Sequence, residues 1–262
     1  MRGKRLGSVA ADHPLLFVVG STLAWLVLLT VFTGIASSAL QSPFGGTTTV
    51  TLGHLAAIAC VLSLTRRLGW LEASGIARAG RWPVWLIAMG SLVYFASASL
   101  YSFYGAVAFD FSSLVRSSAA RVAVLRNLTV ASSEEILFRG LVLHALVRAW
   151  GNTRRGLVGG VVLTSLLFSV LHLTQVFTHG VSPTAAVFLT LQTCIISIWW
   201  GALVWWGGTI WPAVMLHFAV NSVVAVQGLS TSIAEPAVSG YIGILWFSVP
   251  LGAVGIGLLA PR

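Results

Sequence analysis

The segment Pro14–Ser37 reads PLLFVVGSTLAWLVLLTVFTGIAS and contains no charged residue. It is long enough to cross a bilayer as a helix, because a hydrocarbon core of roughly 30 Å needs about 20 consecutive apolar residues. It is also longer than the roughly 7–15 apolar residues of a cleaved signal peptide. We therefore interpret it as an uncleaved first membrane-spanning helix.

Apolar runs of similar length recur along the whole chain. Further runs lie at about 47–65, 83–104, 118–149, 156–174, 184–206, 209–227 and 240–260. The 262 residues are 57% hydrophobic and only 8% charged, which excludes a soluble globular domain with a polar surface. Membrane strands would alternate polar and apolar residues, and these runs do not. The sequence predicts an all-α, polytopic transmembrane helix bundle of about eight spans, forming a single integral-membrane domain over residues 1–262.

The location of the basic residues indicates how the chain is oriented in the membrane. A net charge of +9 would suggest nucleic acid as the partner of a soluble protein, but most of the 15 basic residues lie in short connections between apolar runs. Cytoplasmic connections of membrane proteins carry an excess of arginine and lysine, as at positions 66–67 and 154–155 here. We predict a multi-pass protein of the cell membrane with both termini in the cytoplasm, the lipid bilayer as its partner and no nucleic acid.

Many tryptophans lie near the predicted ends of the spans. Such positions are typical of an aromatic belt at the membrane–water interface. We assign the following residues to this belt: Trp82, Trp85, Trp199, Trp200, Trp205, Trp206 and Trp211.

Charged residues are concentrated in the middle of the fourth predicted span, within ASSEEILFRGLVLH at positions 131–144. Each charge costs roughly 2.5–3.5 kcal/mol at the centre of a membrane helix, so the cluster needs a reason to persist. Glu135 and Arg139 are four residues apart and can form an ion pair on one helix face. Glu134 is turned about 100° away and has no cation on its own helix. An unpaired carboxylate in a desolvated interior is a candidate general base or acid.

Two other spans carry polar residues at a similar depth. Phe168 and His172 are one helical turn apart, and so are His217 and Asn221 within HFAVN. Three helices could therefore converge on one polar site. We interpret the isolated His54 and His144 as poorer candidates.

These motifs together resemble those of a known family, the CPBP intramembrane proteases. This family includes the Ras-converting CAAX endopeptidases and bacteriocin-processing or self-immunity proteins. The resemblance covers about residues 120–225, which we expect to form the catalytic core. It rests on three ordered signatures, which here are Glu134-Glu135-x-x-x-Arg139, Phe168-x-x-x-His172 and His217-x-x-x-Asn221.

The resemblance implies an eight-helix α-fold and hydrolysis of a peptide bond within or beside the membrane. It assigns Glu134 as the residue that activates water, His172 as its partner, and His217 and Asn221 as donors to the oxyanion. Supporting roles fall to Glu135 and Arg139, which would orient the helix and the substrate, and to Phe168, which would form a wall of the pocket. The expected substrate is a peptide or a lipidated protein, and neither the need for a prenyl group nor the oligomeric state follows from the sequence.

The role of metal stays open at this level. The family is customarily labelled as metalloproteases, and Glu134, His172 and His217 could hold zinc with one open position. The chain has no H-E-x-x-H motif, and Asn221 is a poor zinc ligand but a good oxyanion donor. We favour glutamate-activated water without a metal and keep zinc as the alternative cofactor.

Two other function classes fit the same polar residues. Glu134, His172 and His217 could form a proton or cation relay in a transporter. The protein could also be a non-catalytic immunity or partner protein of the membrane. A transporter would more often show duplicated halves, and the chain shows no internal repeat.

Overall fold

The computed structural model describes residues 2–39, 45–104, 117–178, 180–230 and 238–260. These residues form helices joined by turns, and no β-strand occurs among them. The predicted all-α class is confirmed. One short helix at the N-terminus was not predicted.

Helices cover each of the predicted apolar segments over most of its length. In the first part of the chain they are α1 (Arg2–Asp12), α2 (Pro14–Ala39), α3 (Gly45–Arg67) and α4 (Trp82–Tyr104). A continuous helical stretch follows, made of α5 (Ser118–Glu135), a π-helical segment (Ile136–Val142) and α6 (Leu143–Trp150). Next come α7 (Arg154–Val170), a 3-10 turn (Leu171–Thr174) and α8 (Gln175–Thr178). The last helices are α9 (Pro183–Gly207), α10 (Trp211–Ser230) and α11 (Val238–Leu258).

Long apolar helices make this a multi-pass membrane protein. Within the described ranges, 4 helical stretches are long and apolar enough to cross a bilayer: Pro14–Ala39, Gly46–Arg67, Arg154–Phe177 and Pro183–Gly207. The stretch that contains Glu134 and Arg139 is not among them, since its polar residues lower its hydropathy. The count of about eight spans stays a prediction.

Local capping explains where several helices begin. The side chains of Ser117, Thr153 and Ser182 each accept a hydrogen bond from a backbone N–H in the first turn of the following helix. Pro183 begins α9, where its missing N–H leaves no helical bond unmade. Gly208 ends α9 in the left-handed region at φ 71°, a conformation that glycine adopts without steric cost.

The helix that carries the glutamates lies between two neighbours. Helix α5 packs against α3 on one side and α10 on another, while α9 packs against both α7 and α11. Polar residues of α5, α7, α9 and α10 can therefore meet in the interior.

Two of the tryptophans assigned to an interfacial belt are in fact buried, so that assignment is wrong for them. Trp199 is 4% exposed and donates from Nε1 to Oγ of Ser91 on α4. Trp200 is 7% exposed and lies against His217. The pattern of tryptophans did not reveal this, because α9 is central and apolar on most of its surface. Trp82, which is 72% exposed, agrees with the predicted position.

Trp25 joins the first long helix to the glutamate helix. Its Nε1 donates a hydrogen bond of 3.0 Å to Oγ of Ser133, which directly precedes Glu134. Its ring also packs edge-on against Phe138 at a centroid distance of 6.3 Å. Both Trp25 and Ser133 are buried, so this bond fixes α2 against α5.

We expect Trp25→Phe to lower the free energy of unfolding by about 0.5–1.5 kcal/mol, because the ring remains and only the N–H donor is lost. Ser133→Ala should cause a similar loss. The double variant should be hardly less stable than either single variant, because both changes remove one shared bond. Unfolding in detergent, followed by circular dichroism, measures all three.

Thr30→Val is the matched control, because the Thr30 hydroxyl is exposed and donates to Leu26 within α2. Its stability should equal that of the wild type. Fully additive losses from Trp25→Phe and Ser133→Ala would contradict the pairing.

Candidate active site

Glu135 is the centre of the buried polar cluster. Its side chain is 0% exposed, and its Oε1 lies 3.1 Å from Nη1 of Arg139. The same oxygen accepts a hydrogen bond of 2.9 Å from Nδ1 of His217 on α10. The predicted ion pair between Glu135 and Arg139 is confirmed, and His217 adds a partner from another helix.

The backbone widens directly after the two glutamates. From Ile136 to Val142 the chain is π-helical, and the N–H of Leu143 bonds to the carbonyl of Phe138, five residues earlier. Short π-helical segments inside α-helices are often found at functional sites. Here the segment contains Arg139 and changes the direction of the side chains that follow Glu135.

Arg139 is held by groups from two further helices. Its Nη2 donates a hydrogen bond of 2.7 Å to Oγ of Ser197 on α9. The guanidinium lies 4.6 Å from the ring centroid of Phe168 and 5.7 Å from that of Trp200. Cation–π contacts of this kind are stronger in a desolvated site. The arginine is 2% exposed, so its charge depends on these neighbouring protein groups.

Glu134 has a different environment from Glu135. Its side chain is 19% exposed, and its Oε2 lies 3.6 Å from Nε2 of His217. The part of the chain that the structure describes places no arginine in an ion pair with Glu134. The two glutamates therefore face opposite nitrogens of one imidazole, and only Glu134 is partly accessible.

His172 lies just beyond the end of α7, in the 3-10 turn. Its Nδ1 is 3.2 Å from the carbonyl oxygen of Phe168, and since a carbonyl only accepts, Nδ1 is the donor. In the neutral ring, Nε2 then carries the free lone pair. The Phe168 ring packs edge-on against both His172, at 5.1 Å, and His217, at 5.7 Å. Phe168 thus separates and orients the two histidines.

His217 is rigidly held. It is 4% exposed, both of its ring nitrogens face a glutamate, and its ring is tilted by 30° against that of Trp200 at 5.1 Å. Asn221 lies one turn further along α10. Its backbone oxygen accepts a hydrogen bond of 3.0 Å from Nδ2 of Asn127 on α5.

The structure thus gathers Glu134, Glu135, Arg139, Phe168 and His217 into direct contact. His172 reaches this group through Phe168, and Asn221 through its position on α10. No ion pair joins Glu134 with His172 among the described residues.

Comparison with known families gives the class of the site. Residues 116–223 match the family model described as Type II CAAX prenyl endopeptidase Rce1-like. This match agrees with the resemblance to the CPBP intramembrane proteases, and the matched family is a family of proteases. Neither a curated protein nor a solved structure matches the chain.

Several residues of the polar cluster were not predicted. Asn127 precedes Glu134 by seven residues, so an amide two helical turns from the glutamate was a usable signal. Ser197 and Trp200 had no such signal, because they lie among apolar residues of α9. His54, a poorer site candidate because it is isolated in the sequence, is 5% exposed. Its ring centroid lies 6.1 Å from that of Trp25.

The described residues do not assemble the zinc ligands that the sequence offers. Within the described ranges, no group of three His, Cys, Asp or Glu side chains lies close enough to hold a metal ion. Nδ1 of His217 is bonded to Glu135 and Nδ1 of His172 to a backbone carbonyl, which leaves the Nε2 atom of each ring for other partners. Because the described residues do not bring three such ligands together, we assign no step to a metal.

We expect Arg139→Met to destabilise the protein by about 3–5 kcal/mol, because it leaves Glu135 as an uncompensated buried carboxylate. Adding Glu135→Gln to this variant should recover much of the loss. The free energy of unfolding in detergent provides the measurement.

Arg155→Met at an exposed position serves as the control and should cost less than about 0.5 kcal/mol. Equal stability of Arg139→Met and this control would show that the buried ion pair is not needed for folding.

Proposed function

We propose that this protein is an intramembrane endopeptidase in which Glu134 activates the water that attacks the peptide bond. The observation that carries the proposal is the contrast between the two glutamates around His217. Glu135 is fully buried and bound to Arg139, whereas Glu134 is partly exposed and forms no ion pair with an arginine in the described ranges. A carboxylate that already accepts from a cation and an imidazole is a poor base, so Glu134 is the better candidate.

His172 is proposed as the second group on the water. Because its Nδ1 donates to the Phe168 carbonyl, its Nε2 is available to accept a proton or a hydrogen bond. Water between Glu134 and His172 would be held by two acceptors and could lose its proton as it attacks the carbonyl carbon. The proton would then pass to the leaving amine.

His217 and Asn221 are proposed as the donors to the oxyanion. While Nδ1–H bonds to Glu135, Nε2 can donate only when the imidazole carries both protons. By accepting from Nδ1, Glu135 fixes the orientation of the ring and serves as a positioning residue for His217. Each donor in a desolvated site is worth about 3 kcal/mol in the transition state.

Arg139 and Phe168 are proposed to support these groups without touching the reacting atoms. Arg139 neutralises Glu135, and Phe168 forms the wall between His172 and His217. Both lie in the interior and contact several helices. Their role is to keep the histidines in one orientation.

The proposed substrates are membrane-associated peptides or proteins, including prenylated proteins of the CAAX type. The name of the matched family supports this class. The membrane setting supports it further, because a lipidated or membrane-embedded chain is already concentrated in the bilayer. The match also favours a protease over an ion relay or a non-catalytic partner.

We expect Glu134→Gln to lower kcat for a fluorogenic CAAX-type peptide by about 10²–10⁴-fold, because the amide cannot take the proton from water. Glu135→Gln should lower kcat less and should also lower the melting temperature, because Arg139 then lacks its counter-ion. Purified protein in detergent, assayed with prenylated and unprenylated peptides, gives both quantities.

Glu72→Gln is the control, because Glu72 forms only an exposed ion pair with Arg78. It should cleave like the wild type. Full activity of Glu134→Gln would disprove the assignment of the base. Exhaustive chelation should leave wild-type cleavage intact, and loss of activity with recovery on added zinc would establish the metal mechanism instead.

We also propose that the protein is a single membrane domain of about eight spans with both termini in the cytoplasm. The distribution of basic residues in the connections supports this orientation. A green fluorescent protein fused to the C-terminus should fluoresce, and an alkaline phosphatase fused there should be inactive. The reverse pattern would place the C-terminus outside.

A further inference from the structure

Asn127 makes a contact between the glutamate helix and the oxyanion helix. It is 3% exposed, and its Nδ2 donates a hydrogen bond of 3.0 Å to the backbone oxygen of Asn221. Asn127 lies seven residues before Glu134, so both side chains emerge from nearly the same face of α5. It lies outside the three signature motifs and has no role in the mechanism proposed above.

The orientation of this amide is fixed by its two neighbours. Its Oδ1 accepts a hydrogen bond of 3.2 Å from Nη2 of Arg126. A guanidinium only donates and a backbone carbonyl only accepts, so the amide has one favourable orientation between Arg126 and Asn221. Because the amide is buried, a reversed orientation would leave polar groups unsatisfied.

Among the described residues, two side-chain hydrogen bonds therefore join α10 to α5. His217 bonds to Glu135, and the backbone of Asn221, one turn later, bonds to Asn127. These two hydrogen bonds add directional constraints to the packing of α10 against α5. The α10 residues in these bonds are the two proposed oxyanion donors.

We propose that Asn127, oriented by Arg126, is a positioning residue that holds the Asn221 side chain in place for the oxyanion. The inference rests on the proposed function and extends it to a residue outside the motifs. Oxyanion donors act in the transition state, and a small displacement weakens them strongly. Loss of the Asn127 contact should therefore affect kcat and leave KM nearly unchanged.

The test compares Asn127→Asp with the wild type and with Asn221→Ala. The aspartate keeps the shape of the side chain but places an oxygen against the Asn221 carbonyl. We expect kcat to fall about tenfold or more with KM within about twofold. In the Asn221→Ala background the same change should have less than about a twofold effect, because the group it positions is gone. Arg126→Gln should cause a smaller fall in kcat.

Thr129→Val is the matched control, since Thr129 is buried on the same helix but its hydroxyl donates to Arg126 within α5. It should retain wild-type kcat. Hydrogen exchange of α10 amides adds a readout that needs no cleavage, and it should rise around Asn221 in Asn127→Asp but not in Thr129→Val.

An equal fall of kcat in both backgrounds, or unchanged kcat and exchange in Asn127→Asp, would overturn the inference. Failure of the proposed function is seen separately. In that case Glu134→Gln cleaves like the wild type, whatever the result at Asn127.

Discussion

Burying the carboxylate of Glu135 in a membrane helix requires compensation, and much of the interior is arranged to provide it. Removing an ion from water costs several kcal/mol even after the surroundings relax. Arg139 supplies the opposite charge from one turn further on, and His217 supplies a hydrogen bond from α10. Arg139 is itself buried and in turn needs Ser197 and two aromatic rings. The groups that compensate the charges of Glu135 and Arg139 thus come from α5, α7, α9 and α10.

This arrangement also separates two chemically identical neighbours. Glu134 and Glu135 are adjacent in sequence and lie on opposite sides of the His217 ring. Glu135 is held by Arg139 and His217, whereas Glu134 is partly accessible. Pairs of carboxylates in contrasting environments are a common basis for dividing roles in an active site. The helix rotation of about 100° per residue produces this division without any further loop or domain.

The sequence predicts the features that depend on short-range patterns. The positions of the long helices follow from runs of apolar residues, and the Glu135–Arg139 pair follows from a spacing of four. Convergence of the His172 and His217 helices on the glutamates could be expected, because isolated polar groups in a bilayer need partners. The burial of Trp200 could not be expected from the sequence, since it depends on which face of α9 meets α10.

Other features were also beyond the sequence for physical reasons. No propensity in the sequence indicates that the helix becomes π-helical after Glu135. His172 was expected within a helix, but α7 ends at Val170 and His172 lies in a 3-10 turn. The packing of α10 also decides that His217, and not His172, bonds to Glu135. The sequence spacing could not distinguish these two histidines, because both were expected at a similar depth.

The matched region, 116–223, contains all the proposed acid–base and oxyanion residues. Helices outside that region also pack around them. Helix α3 packs on α5, and Trp25 of α2 bonds to the residue before Glu134. A polar cluster in a membrane must be shielded from lipid on every side, since lipid offers no hydrogen bonds to unsatisfied groups. The N-terminal helices provide part of that shield. Their apolar sequences carry no motif because their contribution is shape and one indole N–H, which many sequences can supply.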